Sequence, residues 1–298
     1  MKFDLCELLL KDCSTGNNII LATDSYVGFS PDTEINLDMI NLFKPRVLKD
    51  KETQIQRTAA KAEVFTPSWI CNAQNNLVDN EWFNRDNIFN SEENNSWITN
   101  TDKIDFGNKY WKDYVLANRM EITCGEAPYL VSPYDTTTGD TIKIINRIGL
   151  LDRKLRVVNE NTDTKEEWFE WVKKAYQSTY GFEYQGDNLL IARKNLLETF
   201  ISNYEYKFNE SVDYSYIVII ANIIVWNIWQ MDGLKLVVPL SCRNTKVEII
   251  NLFDNIEVIE DNCLGCKNEK EKHNGIKCSI MDWKEDKILL FNDLMRSE

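Results

Sequence analysis

The sequence predicts an α/β fold with a mostly parallel sheet, preceded by an N-terminal extension and followed by a small segment rich in cysteine and lysine. Three observations predict it. Short apolar runs, Tyr180–Tyr184 and Ile228–Met231, alternate with stretches of helical spacing. Three acidic residues, Glu121, Glu183 and Asp232, stand where predicted strands end, the place at which open α/β sheets bind ligands. Near the C-terminus Cys263, Cys266, His273 and Cys278 follow one another as Cys-x2-Cys-x6-His-x4-Cys, a concentration of soft metal ligands. The boundaries drawn from these features are an extension over 1–60, an α/β domain over 61–255 and a Cys/His segment over 256–298.

The elements follow in order. Residues 1–50 mix a β-like run, Ile19-Ile20-Leu21-Ala22, with turn formers such as Ser30-Pro31-Asp32. Lys51 to Lys61 is polar and helix-compatible. Thr66 as N-cap and Pro67 in the first turn mark a helix start, because proline there lacks only a donor that would have no partner. Residues 72–108, rich in Asn, Asp and Trp, read as loop with short helices, most loop-like from Asn87 to Asp102. A stronger pattern runs from Met120 to Leu130. Ile142 to Val157 has apolar residues at helical spacing. A further helix opens at Thr164 and runs to Ala175, with Trp168 and Trp171 read as core. Then come the strand 180–184, a long helix from Asn188 to about Tyr206 and an apolar segment, Asp213 to Val225, that fits either a helix or a strand. The strand 228–231 leads into Asp232-Gly233, and further strands are expected at 236–240 and 247–252.

Composition limits the function. The 298 residues are 43% apolar and 27% charged, as in an ordinary soluble domain. With 34 Lys and Arg against 47 Asp and Glu the net charge is −13, which repels a phosphate backbone, so contact with DNA requires a local basic groove or, as expected here, a partner subunit. The one histidine, His273, falls in the Cys/His cluster, which leaves none for Ser-His-Asp or Cys-His catalysis. The first residues have acids inside their short apolar run and no small-residue cleavage site, and the longest apolar stretch, Tyr216 to Trp229, spans 14 residues. No secretory signal and no membrane span are expected, and a cytoplasmic protein is. Eight cysteines then read as thiols or metal ligands rather than disulfides.

An acid at a strand end can accept hydrogen bonds from ribose hydroxyls or an adenine amine, and Gly125 lets the backbone approach a ligand closely. The same acids also fit ordinary loops. Cys124, beside Gly125, reads as a small buried residue rather than a reactive thiol. Cys263, Cys266, His273 and Cys278 suit a tetrahedral structural zinc, with Gly265 and Gly275 supplying turns and nearby lysines offsetting thiolate charge. Free surface thiols beside a solvated charge run are the alternative.

The order Phe65-Thr66-Pro67, Glu121-Ile122-Thr123-Cys124-Gly125, Tyr180-Gly181-Phe182-Glu183 and Asn227 to Leu234 resembles an amino-type DNA methyltransferase. Over most of its length the chain is similar to bacterial restriction–modification methylation subunits, "subunit M". The resemblance implies a Rossmann-like class I methyltransferase sheet and S-adenosylmethionine as cofactor. Phe65, Thr66 and Pro67 would pack on its methionine part, and Glu121, Thr123 and Gly125 would form the first cofactor loop. Glu183 would take the ribose hydroxyls and Asp232 the adenine amine. Two departures stand out. Ala127 occupies the place of the loop's second glycine, and no Asn-Pro-Pro or Asp-Pro-Pro is present. In the resembled family these residues begin the tetrapeptide Asn (or Asp or Ser)-Pro-Pro-Tyr (or Phe or Trp), which holds the target amine while its aromatic ring stacks on the flipped base. After Asp232 the nearest proline is Pro239, in Val238-Pro239-Leu240-Ser241. The expected function is therefore an S-adenosylmethionine-binding, methyltransferase-like protein of the DNA (adenine) modification type that acts with a modification, specificity or defence-system subunit. The alternative is a catalytically silent cofactor-binding protein that regulates or inhibits restriction or another phage-defence system.

Overall fold

The computed structural model describes residues 3–61, 66–250, 256–268 and 272–294; side chains at 60–61, 245–250 and 256–261 are left aside. Phe65 therefore lies outside the described residues. In chain order the elements are α1 (Phe3–Leu10), α2 (Lys51–Lys61), α3 (Ser68–Phe83), β1 (Asn90–Glu93), β2 (Ser96–Thr99), α4 (Trp111–Leu116), β3 (Arg119–Glu121), α5 (Leu150–Asn161) and α6 (Lys165–Gln177). There follow β4 (Thr179–Glu183), α7 (Gly186–Phe208), α8 (Tyr214–Asn227), β5 (Ile228–Gln230), β6 (Thr245–Ile250), β7 (Ile256–Asp261), α9 (Leu264–Lys267), β8 (Ser279–Asp282), β9 (Lys287–Leu290) and α10 (Phe291–Leu294).

The fold is mixed α/β. Its centre is a parallel sheet in the order β3-β4-β5, with Met120 opposite Tyr180 and Phe182 opposite Trp229. The other described strands form antiparallel hairpins, β1-β2, β6-β7 and β8-β9. Successive side chains of β4 and β5 point to opposite faces. Ile228 joins the large core built from α5 to α8, whereas Phe182 and Trp229 join a smaller cluster with Met231, Cys278, Ile280 and Phe291. The sheet thus has helices on one face and the C-terminal hairpin on the other. No helix among the described residues is long and apolar enough to cross a membrane.

Several expectations are corrected. The helix start expected at Thr66-Pro67 opens a 16-residue helix, Ser68–Phe83, which runs well into the stretch from 72 on that reads as loop with short helices. Its N-cap is Pro67 rather than Thr66, and the Ser68 N–H is taken at 2.7 Å by the Asp135 carboxylate from across the fold. The loop-like stretch 87–102 contains the β1-β2 hairpin. Residues 236–240 make a turn with an isolated bridge from Asp232 to Val237, and β6 pairs antiparallel with β7, so neither extends the parallel sheet. The parallel sheet of the described residues has three strands. The apolar segment that fits either a helix or a strand is a helix from Tyr214 on, with Asp213 as its N-cap.

The first fifty residues do not stand apart from the rest. Leu5, Leu9, Leu10, Ile19, Leu21, Ile35 and Met39 lie in the main core. The buried Arg193 of α7 donates to the carbonyls of Leu9, Lys11, Val225 and Ile228, tying α1 to the start of β5. A buried guanidinium is tolerable only when its donors are paired in this way. Asp187 is likewise buried, with Arg57 at 2.9 Å, Lys49 at 3.5 Å and the Tyr26 hydroxyl at 2.7 Å, so α2 and the N-terminal segment are fixed to the start of α7.

Candidate ligand cleft and metal centre

The ends of β3 and β4 open into a cleft of about 980 Å³. Its lining includes Thr66, Glu121, Thr123, Gly125 and Glu183, all singled out in the sequence. Pro67 is not among the lining residues. Asp232 is not either: its Oδ1 accepts the Leu234 and Lys235 N–H groups, and Lys235 pairs with it at 3.6 Å, so it serves the turn after β5.

The two strand-end acids hold the loop between them. Glu183 Oε2 accepts the Gly125 N–H at 2.8 Å and its Oε1 accepts Gln185 N–H at 3.0 Å. Glu121 Oε2 accepts the Leu130 N–H at 3.2 Å, and the Cys124 N–H bonds the Phe182 carbonyl at 2.8 Å. Glu126, itself buried, takes the Arg46 N–H and the Tyr134 hydroxyl. Held at these points, the loop has positive φ at Thr123 (49°), Gly125 (54°) and Ala127 (65°). Ala127 thus keeps a conformation that glycine adopts most readily, at the position where the resembled family has glycine.

Burial pushes the Glu121 carboxyl well above the usual carboxylate range, with the Glu183 charge adding to it. Burial also raises Glu183, against the N–H groups of Gln185 and Gly125 that favour its ionised form. Cys124 is buried and its thiol is raised, in agreement with the inert reading. The described lining has three acids, Asp24, Glu121 and Glu183, and no lysine, arginine or histidine. Sequence reasoning missed much of this wall: Ala22, Thr23 and Asp24 come from the N-terminal segment, Gln74 and Asn75 from α3, and Asn188 from α7.

The second site lies near the C-terminus. Cys263, Cys266 and His273 come together as expected, but the fourth member is Cys242 rather than Cys278, and the four ligand atoms lie within 4.8 Å of one another. His273 Nδ1 is 3.5 Å from Cys266 Sγ and 3.8 Å from Cys242 Sγ. Tetrahedral zinc, at about 2.3 Å from sulfur and about 2.0–2.1 Å from nitrogen, separates its ligand atoms by about 3.5–3.8 Å. The group can therefore hold a metal ion. The Asn274 N–H, donated to Cys263 Sγ at 3.2 Å, favours the thiolate and lowers that thiol to about 6, while burial pushes Cys242 up to about 11. Cys278 sits apart, fully buried in the smaller core, its Sγ facing the Gln230 carbonyl at 3.5 Å. Burial there raises its thiol, the opposite of what a metal ligand needs.

Compared with known proteins, the sequence matches no family model, no curated protein and no solved structure.

Proposed function

We propose that the cleft binds S-adenosylmethionine and that the chain is a methyltransferase-like protein of the DNA-modification type working with a partner subunit. The observation that carries this reading is the acidic cleft at the ends of two adjacent parallel strands, with no basic side chain in its described lining. Such a site disfavours phosphorylated ligands and favours one that brings positive charge and hydroxyl donors. S-adenosylmethionine brings a sulfonium, an ammonium and a ribose diol. Its volume class also fits, since small-molecule sites usually span about 300–1,000 Å³.

Within this reading Glu183 accepts the ribose hydroxyls. Each of its oxygens already takes one backbone N–H and has a second lone pair available. Gly125 lets the loop backbone approach the ligand, and the ligand's positive charge beside Glu121 would favour the ionised form that burial alone disfavours. When bound, the cofactor supplies a methyl group on an electrophilic sulfonium. The Cys3His group is read as a structural zinc site, because its four protein ligands leave no open position for water.

A second reading, a catalytically silent cofactor-binding regulator of restriction or phage defence, is favoured by one specific feature. The segment Val238-Pro239-Leu240-Ser241 reaches the cleft, but through the apolar side chain of Leu240, while the Ser241 hydroxyl is bonded to the Val238 carbonyl. That segment, Val238 to Ser241, offers the cleft no amide acceptor.

Calorimetric titration of ligand-stripped protein with S-adenosylmethionine and S-adenosylhomocysteine tests the cofactor. Saturable binding is expected, and absence of binding to both rejects it. Transfer of labelled methyl groups to mixed-sequence DNA, with and without candidate partner subunits, then separates the two readings. Transfer only with the partner is the expected result, and binding without transfer under any condition selects the regulator.

A further inference from the structure

We propose that the Cys242/Cys263/Cys266/His273 site is a positioning site for the cleft: a bound zinc ion fixes the loop that presents Leu240, so metal occupancy and ligand binding are linked. The linkage to ligand rests on the cofactor reading above; the effect on the loop does not.

The ligand set joins two parts of the chain, and one of them is a wall of the cleft. Leu240 lines the cleft and Cys242, two residues on, belongs to the metal group. Segment 237–243 runs beside segment 274–277. Val237 bridges Lys277, the Val238 N–H donates to the Ile276 carbonyl at 2.8 Å, and the Ile276 N–H donates to Ser241 Oγ at 2.9 Å. At the metal end, Arg243 N–H donates to Asn274 Oδ1 at 3.0 Å, while Asn274 Nδ2 donates to the Arg243 carbonyl at 2.8 Å and the Asn274 N–H to Cys263 Sγ. The cysteine sulfurs and the imidazole thus clasp both segments at one end.

The loop needs such a clasp. Leu240 has φ of 58° and is 53% exposed, so a leucine sits in the left-handed region without full burial to hold it there. Non-glycine residues stay in that region when their surroundings over-determine them. On the side toward β5 the chain is held by the Asp232 turn and by Val237 and Val238 in the smaller core. On the far side, the described contacts are those to residues 274–276 and the metal group itself. Lys235 pairs with Asp232 at 3.6 Å, and its charge acts favourably on the Cys266 and Cys242 thiols. An ion that joins Cys242 to Cys263, Cys266 and His273 therefore locks the far side of the loop, which the hydrogen bonds to residues 274–276 alone hold without it.

The experiment uses the full chain in three forms: zinc-loaded, stripped with a chelator, and Cys242→Ser, with Cys278→Ser as the comparison. Zinc content and affinity, hydrogen exchange over 236–243 and 272–278, and calorimetric titration with S-adenosylmethionine are read on each. Zinc binding is expected to weaken by more than about tenfold in Cys242→Ser and to stay near wild type in Cys278→Ser. Stripping the metal should speed exchange in both segments and weaken S-adenosylmethionine binding by about fivefold or more, and the cofactor should tighten zinc binding by the same factor. Zinc loss with unchanged exchange over 236–243 overturns the proposal, as does wild-type zinc affinity in Cys242→Ser. If Cys242→Ser does not fold, the stripped wild-type chain still decides the effect on the loop. If S-adenosylmethionine fails to bind even the zinc-loaded wild type, the cofactor reading falls while the exchange result still decides this one.

Discussion

Glu183 Oε2 accepts the Gly125 N–H at 2.8 Å, so the carboxylate that ends β4 also fixes the loop that leaves β3. The consequence is that ligand recognition and loop geometry depend on the same side chain. Replacing Glu183 by Ala removes the acceptor for two N–H groups and should cost about 1–3 kcal/mol of fold stability, together with loss of S-adenosylmethionine binding. Asp232→Ala removes a turn acceptor outside the cleft lining. It should lower stability by about 1 kcal/mol and weaken ligand binding far less than Glu183→Ala, acting only through the loop that carries Leu240. Urea denaturation and calorimetry on both variants check this; equal loss of affinity in the two would return Asp232 to the cleft.

Glu121 predicts a pH dependence. Burial holds its carboxyl well above the ordinary value of 4.5 in the folded state. A carboxyl whose folded pKa is raised contributes stability that is full below the unfolded value and is lost as pH rises through the folded value. Glu121→Gln keeps an oxygen for the Leu130 N–H and never ionises. The variant should therefore gain stability relative to wild type as pH rises from the ordinary carboxylate range toward alkaline values. Denaturation midpoints measured for both across that range give the answer, and a difference independent of pH would show that Glu121 is not held protonated by its surroundings.

The buried ion pair of α3 and α5 should be among the most sensitive structural positions. Arg153 Nη1 meets Asp79 Oδ2 at 2.6 Å, its Nη2 donates to Asn72 and Asn76, and the Tyr114 hydroxyl donates to Asp79 at 2.9 Å. Asp79→Ala leaves a guanidinium uncompensated in the core and is expected to cost about 3–5 kcal/mol. A change below about 1 kcal/mol in chemical denaturation would mean that water or relaxation replaces the carboxylate.

This pair also explains what the sequence made legible. Helices α5, α6 and α7 were readable because apolar residues recur on a buried face, and Thr164 accepts the Glu167 N–H as an N-cap should. Helix α3 was readable only at its start, because beyond it the buried face is polar. Asn72, Asn75, Asn76 and Asp79 have helical spacing, but the partners that make their burial tolerable lie far along the chain: Arg153 for Asn72, Asn76 and Asp79, and the Tyr129 and Ile148 carbonyls for Asn75. Hydrophobic periodicity cannot register such a stripe. The strand-end acids Glu121 and Glu183 were found because position in a parallel sheet and chemistry coincide there. Cys242 was missed for a spatial reason: spacing favoured Cys278, the nearest cysteine after His273, whereas the turn after Asp232 brings an earlier loop to the metal group. The cleft's N-terminal wall left no local mark, since its contacts are backbone bonds to Gln230 and Gly186.

Those backbone bonds lead to the last prediction. The Ile20 N–H donates to Gln230 Oε1 at 2.9 Å, Gln230 Nε2 donates to the Ile20 carbonyl at 2.8 Å, and the Gly186 N–H donates to the Leu21 carbonyl at 2.9 Å. A Cβ on Gly186 would lie 2.0 Å from the Ile20 carbonyl oxygen and 2.9 Å from Ile35 Cδ1. The first neighbour is backbone already bonded to Gln230, so it cannot turn aside without breaking that bond. Gly186→Ala should therefore push residues 19–22 off the sheet end, with the cost of about 1–3 kcal/mol typical of overpacking. Because Ala22, Thr23 and Asp24 line the cleft, the same displacement should weaken ligand binding even though residue 186 is not itself in the lining. Denaturation and S-adenosylmethionine titration of Gly186→Ala measure the two effects together. Loss of stability with full affinity would show that the N-terminal segment braces the fold without shaping the cleft, whereas wild-type behaviour in both would show that it does neither.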